Sequence, residues 1–228
     1  METMKVFIGY DSREPIAYHV LSHSILRRAS VPVSVTPLAL NQLNGIYTRT
    51  RSQTESTEFS LSRFLVPHLS GYEGKSLFMD SDMLCLFNIA ELVTLIKLKP
   101  VKPVYVCQHN YMPSQDRKFL GQRQTAYPRK NWSSLMFFNN DLCTDLSKEY
   151  VNTASGLDLH RFNWLGDAGV GTLPLEWNYL VGENNQSKLL PKIIHWTNGG
   201  PYFPEYRDSE HADLWYDELS KMLNPCQA

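Results

Sequence analysis

The sequence predicts an α/β domain built on a mostly parallel sheet, and three observations carry that reading. Residues 5–38 read strand, helix, strand, an opening that implies a right-handed crossover between parallel strands. Strand-like and helix-like segments then keep alternating to the end of the chain. In the middle, the apolar run Leu77-Phe78-Met79 breaks into two carboxylates one residue apart, Asp80 and Asp82. That run is too short and too abruptly interrupted for an amphipathic helix, so it reads as a buried strand.

Each element has its own signal. Residues 5–8 (Lys-Val-Phe-Ile) form the first strand and close on Gly9-Tyr10-Asp11-Ser12. Residues 14–28 follow as a helix, because Ile16, Val20, Leu21, Ser24 and Ile25 make an apolar stripe near period 3.6. Ser12 is the expected N-cap, with Pro15 in the permissive first turn. Residues 33–38 alternate like a second strand. Residues 41–57 are polar and aperiodic, a loop long enough to suggest function or mobility as a lid. A helical pattern returns over 59–69, before the turn at 71–74 and the strand that ends at Asp80. Residues 89–98 read as a helix closed by Pro100, and 104–107 as a strand. Residues 110–132 are loop-like, with scattered aromatic and basic side chains. A strand at 134–138, helices at 141–153 and 157–164, a late strand at 189–195 and an amphipathic helix at 209–223 complete the chain.

Composition narrows the function classes. The 228 residues suffice for one domain with a full core, and the expectation is a single domain over 1–228. A formal net charge of −1 gives no electrostatic reason to bind nucleic acid. No apolar stretch approaches the ~20 residues of a transmembrane helix, and Val6-Phe7-Ile8 is too short for a signal peptide's apolar core. Cys85, Cys107, Cys143 and Cys226 are scattered without a C-x-x-C pair, so a reducing, cytoplasmic setting is expected.

The chemistry-bearing residues converge on one edge. In an extended segment, residues i and i+2 point the same way, so Asp80 and Asp82 can reach one hard divalent cation. Left alone, two such carboxylates at a buried strand end would repel each other. His195 ends Lys192-Ile193-Ile194-His195, and a neutral imidazole suits Mn²⁺ beside two carboxylates. Gly199-Gly200 follows, where backbone N–H groups could approach an anion such as a diphosphate. Ligands of α/β sheets bind beyond the carboxyl ends of the strands. Tyr10-Asp11, Asp80/Asp82 and His195 all fall at such ends.

These blocks resemble a known family. Residues 75–92 (KSLFMDSDMLCLFNIAEL) look like the D-x-D block of glycosyltransferase family 8, residues 195–201 (HWTNGGP) are similar to its C-terminal His-containing phosphate loop, and Leu165-Gly166-Asp167-Ala168-Gly169 resembles its G-D-Q-G loop. The resemblance implies a single-domain GT-A fold with a Rossmann-like sheet. It also implies a nucleotide-sugar donor, commonly a UDP-sugar, a carbohydrate or other acceptor, and transfer with retention of configuration. Mn²⁺ or Mg²⁺ would be held by Asp80, Asp82 and His195. Tyr10 would stack on the uracil and Asp11 bond its edge; Arg63 would meet the donor, Asn131 and Ser133 the sugar, and Asp167 the anomeric centre. The chain departs from the family in three places: Ala168 replaces the Gln, Pro201-Tyr202 replaces Lys-Pro, and Asn131-Trp132-Ser133-Ser134 replaces F-N-x-G.

Two other readings compete. A binding protein for nucleotide sugars could keep the fold without turnover, a thought prompted by Ala168. A haloacid-dehalogenase-type phosphatase also uses D-x-D after a strand, but normally on its first strand, and it has no role for His195.

Overall fold

A computed structural model describes residues 3–52, 55–110, 119–121, 128–166, 169–182 and 190–224. Its main sheet has six strands: β1 (Met4–Gly9), β2 (Val33–Leu38), β3 (Lys75–Met79), β5 (Val104–Cys107), β6 (Leu135–Asn139) and β7 (Val170–Leu173), in the order β2-β1-β3-β6-β5-β7. Strand β6 alone runs antiparallel, wedged between β3 and β5. A second sheet of three short strands orders β4 (Met83–Cys85), β9 (Ile193–His195) and β8 (Tyr179–Leu180) as β4-β9-β8.

The core follows from the period of two along the strands. Phe7, Phe78, Val106, Met136 and Phe138 face one side of the sheet, packed with Phe59, Phe64 and Phe162. Val6, Ile8, Leu77, Met79, Tyr105 and Phe137 face the other. There they meet Leu21 and Ile25 of α1 (Pro15–Arg28) and Leu92 and Ile96 of α3 (Ala90–Lys97). Val20, Leu84, Ile194, Trp196 and Trp215 form a third cluster, joining α1, the second sheet and α6 (Ala212–Leu223).

Several local expectations are corrected. Glu14, not Ser12, is the N-cap of α1, and it makes no side-chain capping bond; the Ser12 hydroxyl is instead donated to Glu58 at 2.6 Å. The helix expected over 59–69 is a 3-10 turn, Ser62–Leu65, followed by one α-turn, α2 (Val66–Leu69). Pro67 lacks an N–H and fits only the first helical turn, and Phe59, Leu61, Phe64, Leu65 and Val66 are all buried, leaving no polar face. The helix expected over 141–153 begins only at α4 (Lys148–Thr153), where the Ser147 hydroxyl accepts the Tyr150 N–H. The one expected over 157–164 is α5 (Gly156–His160), capped by Ser155 and followed by Phe162 at φ 58. The late strand is shorter than expected, and position 189 lies outside the described residues. So does most of the loop at 110–132.

The polar segment 41–52 contacts α4 and the turn after it. Arg49 donates to the carbonyls of Val151 and Ala154 at 2.9 and 2.6 Å, and Asn152 bonds Thr48 N and Ile46 O, each at 2.8 Å. Among the described residues no helix is long and apolar enough to cross a membrane. Cys85, Cys107 and Cys143 are buried free thiols.

Candidate metal centre and its cleft

The two carboxylates sit in the turn between β3 and β4. Asp80 is pinned there by its own N–H, donated to the Ser134 carbonyl at 2.9 Å. β4 then starts at Met83, whose antiparallel partner is His195, and Trp196 N–H donates to the Asp82 carbonyl at 3.0 Å. The pairing of two three-residue strands thus carries His195 across the chain to Asp82. Ligand atoms of Asp80, Asp82 and His195 all lie within 4.8 Å of one another, the only such group found among the described residues.

The chemistry of this donor set fits a divalent ion. His195 is 1% exposed, and its Nδ1 lies 3.0 Å from Asn178 Oδ1. Asn178 in turn donates its amide to the Ser134 hydroxyl at 2.9 Å, and that hydroxyl donates to the Asn131 carbonyl at 2.7 Å. With the amide nitrogen so committed, its oxygen faces the ring, which places the imidazole proton on Nδ1. That leaves Nε2, 3.3 Å from Asp82 Oδ1, as the nitrogen that could share an ion with this carboxylate. A histidine oriented through its other nitrogen is how metal-binding imidazoles are held. Two carboxylate oxygens and one imidazole nitrogen suit Mn²⁺ and related ions.

Arg63 anchors Asp80. It is 5% exposed, lies 2.7 Å from Asp80 Oδ1 and donates to the Ser133 carbonyl at 3.0 Å. Its guanidinium sits about 5 Å from the ring centres of both Phe59 and Phe78, at 5.3 and 5.0 Å, so the planar cation is held by two aromatic faces. The residue expected to meet a donor is here held against Asp80, a candidate metal ligand.

The triad opens on a cleft of about 520 Å³, whose walls include Arg49, Thr57, Lys130, Asn131, Ser133, Leu157 and His160. A second hollow of about 420 Å³ lies at the opposite end of the strands, near Met4, Lys75 and Lys97, far from the carboxylates. Asn131 and Ser133 border the main cleft. Tyr10 and Asp11 do not line it. Tyr10 packs edge-on against Tyr18. Asp11 is 1% exposed and accepts both Arg13 (2.9 and 2.6 Å) and the Glu58 N–H (3.1 Å). Burial works to raise this carboxyl, but Arg13 and the backbone donors hold it below the usual range. Gly199 and Gly200 form the buried turn after His195. Gly199 has φ 148, and a Cβ on Gly200 would fall 2.2 Å from the Tyr202 ring. Asp167 lies outside the described residues.

Four residues of the site carry no sequence signal that singled them out. Asn178 and His160 lie in short turns and helices without a readable period. His109 lies two residues past the end of β5 at Cys107, where no pattern marks it; burial and the proximity of His195 push it down to about 3. Glu14 was legible only as a helix-start residue. It accepts the Tyr202 hydroxyl at 2.8 Å and lies 3.4 Å from the Ser81 hydroxyl, bridging the D-x-D turn to the loop after His195. Burial and the nearby Asp82 push its carboxyl up to about 8.

No protein-family model matches the chain. Protein CDI of Arabidopsis thaliana is 46% identical over 225 residues, covering 95% of this chain and 86% of that protein. The chain belongs to the family of protein CDI. Among solved structures, this CDI-family chain is similar to the bifunctional glycosyltransferase WbbM (TM-score 0.68, 17% identity, 95% of this chain and 49% of that one). It is also similar to the glycosyltransferase GlyE of Streptococcus pneumoniae (TM-score 0.62, 14% identity, 99% and 63%) and to the galactosyltransferase LgtC (TM-score 0.55, 11% identity, 94% and 95%). The chain thus spans about half the length of WbbM and under two thirds of GlyE. The shared architecture is the GT-A fold, as the sequence resemblance implied.

Proposed function

We propose that this CDI-family protein is a metal-dependent glycosyltransferase that takes a sugar from a nucleotide-sugar donor, a UDP-sugar, and passes it with retention to a carbohydrate or other acceptor. The observation that carries this reading is the Asp80-Asp82-His195 group at the mouth of a cleft in a GT-A fold. Bound there, Mn²⁺ or Mg²⁺ would act as a Lewis acid on the diphosphate and offset charge on the departing nucleotide. The protein's own part is to aim the ligands. Asn178 sets the His195 tautomer, Arg63 holds Asp80, and the β4–β9 pairing fixes the distance between Asp82 and His195. The turn at Gly199-Gly200 would bring backbone N–H groups near the phosphates. Asn131 and Ser133 would border the sugar, and Asp167 would act at the anomeric centre.

A screen of nucleotide sugars by thermal shift and donor hydrolysis, with and without Mn²⁺, tests this. A ligand that binds only the native state raises the melting temperature. Metal-dependent stabilisation with release of UDP supports the transferase. Stabilisation without turnover, on any acceptor offered, would turn the reading toward a nucleotide-sugar-binding protein, and cleavage of simple phosphate esters toward a phosphatase.

A further inference from the structure

We propose that His160 recognises a hydroxyl of the transferred sugar, with Ser133 setting the orientation of its ring; the inference rests on the donor reading above. Both residues border the main cleft. His160 Nδ1 and the Ser133 hydroxyl are 2.7 Å apart, and the ring packs edge-on against the buried Phe64 at 5.3 Å. Ser133 is itself 4% exposed and shares Arg63 with Asp80, since Arg63 donates to the Ser133 carbonyl. One chain of contacts therefore runs from His160 through Ser133 and Arg63 to a metal ligand, with every member beneath or beside the cleft.

Topology says which part of the donor reaches this wall. In the strand order β2-β1-β3-β6, the metal carboxylates follow β3. On one side lies the end of β1, the side to which the donor reading gives the base. On the other lies the start of β6, because that strand runs antiparallel and its first residue, Leu135, pairs with Met79. Residues 131–134 therefore flank the metal on the side away from β1. A diphosphate centred on the metal extends the nucleoside toward β1 and the sugar toward Ser133 and His160. Sugar hydroxyls both donate and accept, as do a neutral imidazole and a serine hydroxyl. Leu157, beside them in the cleft wall, offers apolar surface for the C–H face of the ring.

The test is calorimetric titration of UDP, UDP-glucose, UDP-galactose and UDP-N-acetylglucosamine with Mn²⁺, on wild type, His160→Ala, His160→Gln and Ser133→Ala. Melting temperatures identify which variants are folded. Wild type should prefer one of the UDP-sugars over UDP. His160→Ala should leave UDP affinity within about threefold while weakening the preferred UDP-sugar by about tenfold, the worth of one hydrogen bond in a dry site. His160→Gln should recover part of that loss, and Ser133→Ala should show a smaller loss in the same direction. Equal weakening of UDP and UDP-sugars by His160→Ala, or an unchanged sugar preference in any folded His160 variant, overturns the assignment while leaving the donor reading standing. No UDP binding by wild type with Mn²⁺ would remove both.

Discussion

Glu218 sets a test of how the second sheet is held in place. This carboxylate on α6 is 1% exposed and faces three side chains of α1. Arg28 donates to it at 2.8 Å, Arg27 at 3.0 and 3.2 Å, and His23 Nδ1 lies at 2.7 Å. Burial alone would raise the carboxyl, but hydrogen bonds from Arg28 and Arg27 outweigh it and bring it from an ordinary 4.5 to about 2. At about 1.4 kcal/mol per unit, that difference contributes on the order of 3 kcal/mol at neutral pH. Glu218→Gln removes it. Arg27 is 37% exposed and Arg28 19%, so both regain water and the cost should stay near 2–3 kcal/mol rather than rise to that of a stranded buried charge. The folded value lies below the unfolded one, so the contribution is complete above about pH 4.5 and is lost as pH falls toward 2. Urea unfolding should show the full difference between variant and wild type at pH 7, and a difference smaller by about 1 kcal/mol at pH 4. A variant within 0.5 kcal/mol of wild type at pH 7, a margin of roughly one kT, would refute the clamp. So would a difference that does not change with pH. The consequence reaches the site, because α6 and α1 enclose Trp196 and Ile194, the residues on either side of His195.

Three further outcomes follow from named contacts. Arg63→Lys should lower stability by about 1–2 kcal/mol in urea titrations, since an ammonium cannot lie flat against Phe59 and Phe78 while bonding Asp80 and Ser133; an unchanged midpoint would show the stacking to be incidental. Glu14, raised to about 8, is neutral in the folded metal-free protein at pH 7 but ionised when unfolded, so its stability cost grows between pH 4.5 and 8. Glu14→Gln should match wild type below about pH 4 and exceed it in stability near pH 8, and equal pH profiles would count against this. Asp167→Asn should keep UDP and metal affinity while donor turnover falls by orders of magnitude, because the residue would act on charge at the anomeric carbon; near-wild-type turnover would exclude it.

Strands with strong apolar runs were legible in the sequence. The segments at 33–38 and 104–107 match β2 and β5 to the residue, and Asp80, Asp82 and His195 could be grouped from their places at strand ends. The mechanism of that grouping was not legible. β4, β8 and β9 are two or three residues long, below the length at which alternation can be counted, so the sheet that carries His195 to Asp82 left no pattern. β7 was hidden because Gly171 interrupts it, and that glycine is required where a Cβ would fall 2.3 Å from the Tyr105 ring. The overlong helices at 59–69, 141–153 and 157–164 share one cause. Apolar side chains recur there because turns bury them from several sides, and periodicity cannot tell that from one buried helical face. Asn178 shows the same limit at the site, since a buried amide that sets a tautomer has no sequence signature.

The most direct measurement is calorimetric titration of UDP into wild type and Asp82→Ala, each with Mn²⁺ and again with a chelator. If Asp80, Asp82 and His195 share one ion that holds the diphosphate, wild type binds UDP only with metal present. Asp82→Ala, folded by circular dichroism and with an unchanged melting temperature, then binds neither. UDP binding by wild type in the chelator, or metal-dependent binding that survives in Asp82→Ala, would contradict the account.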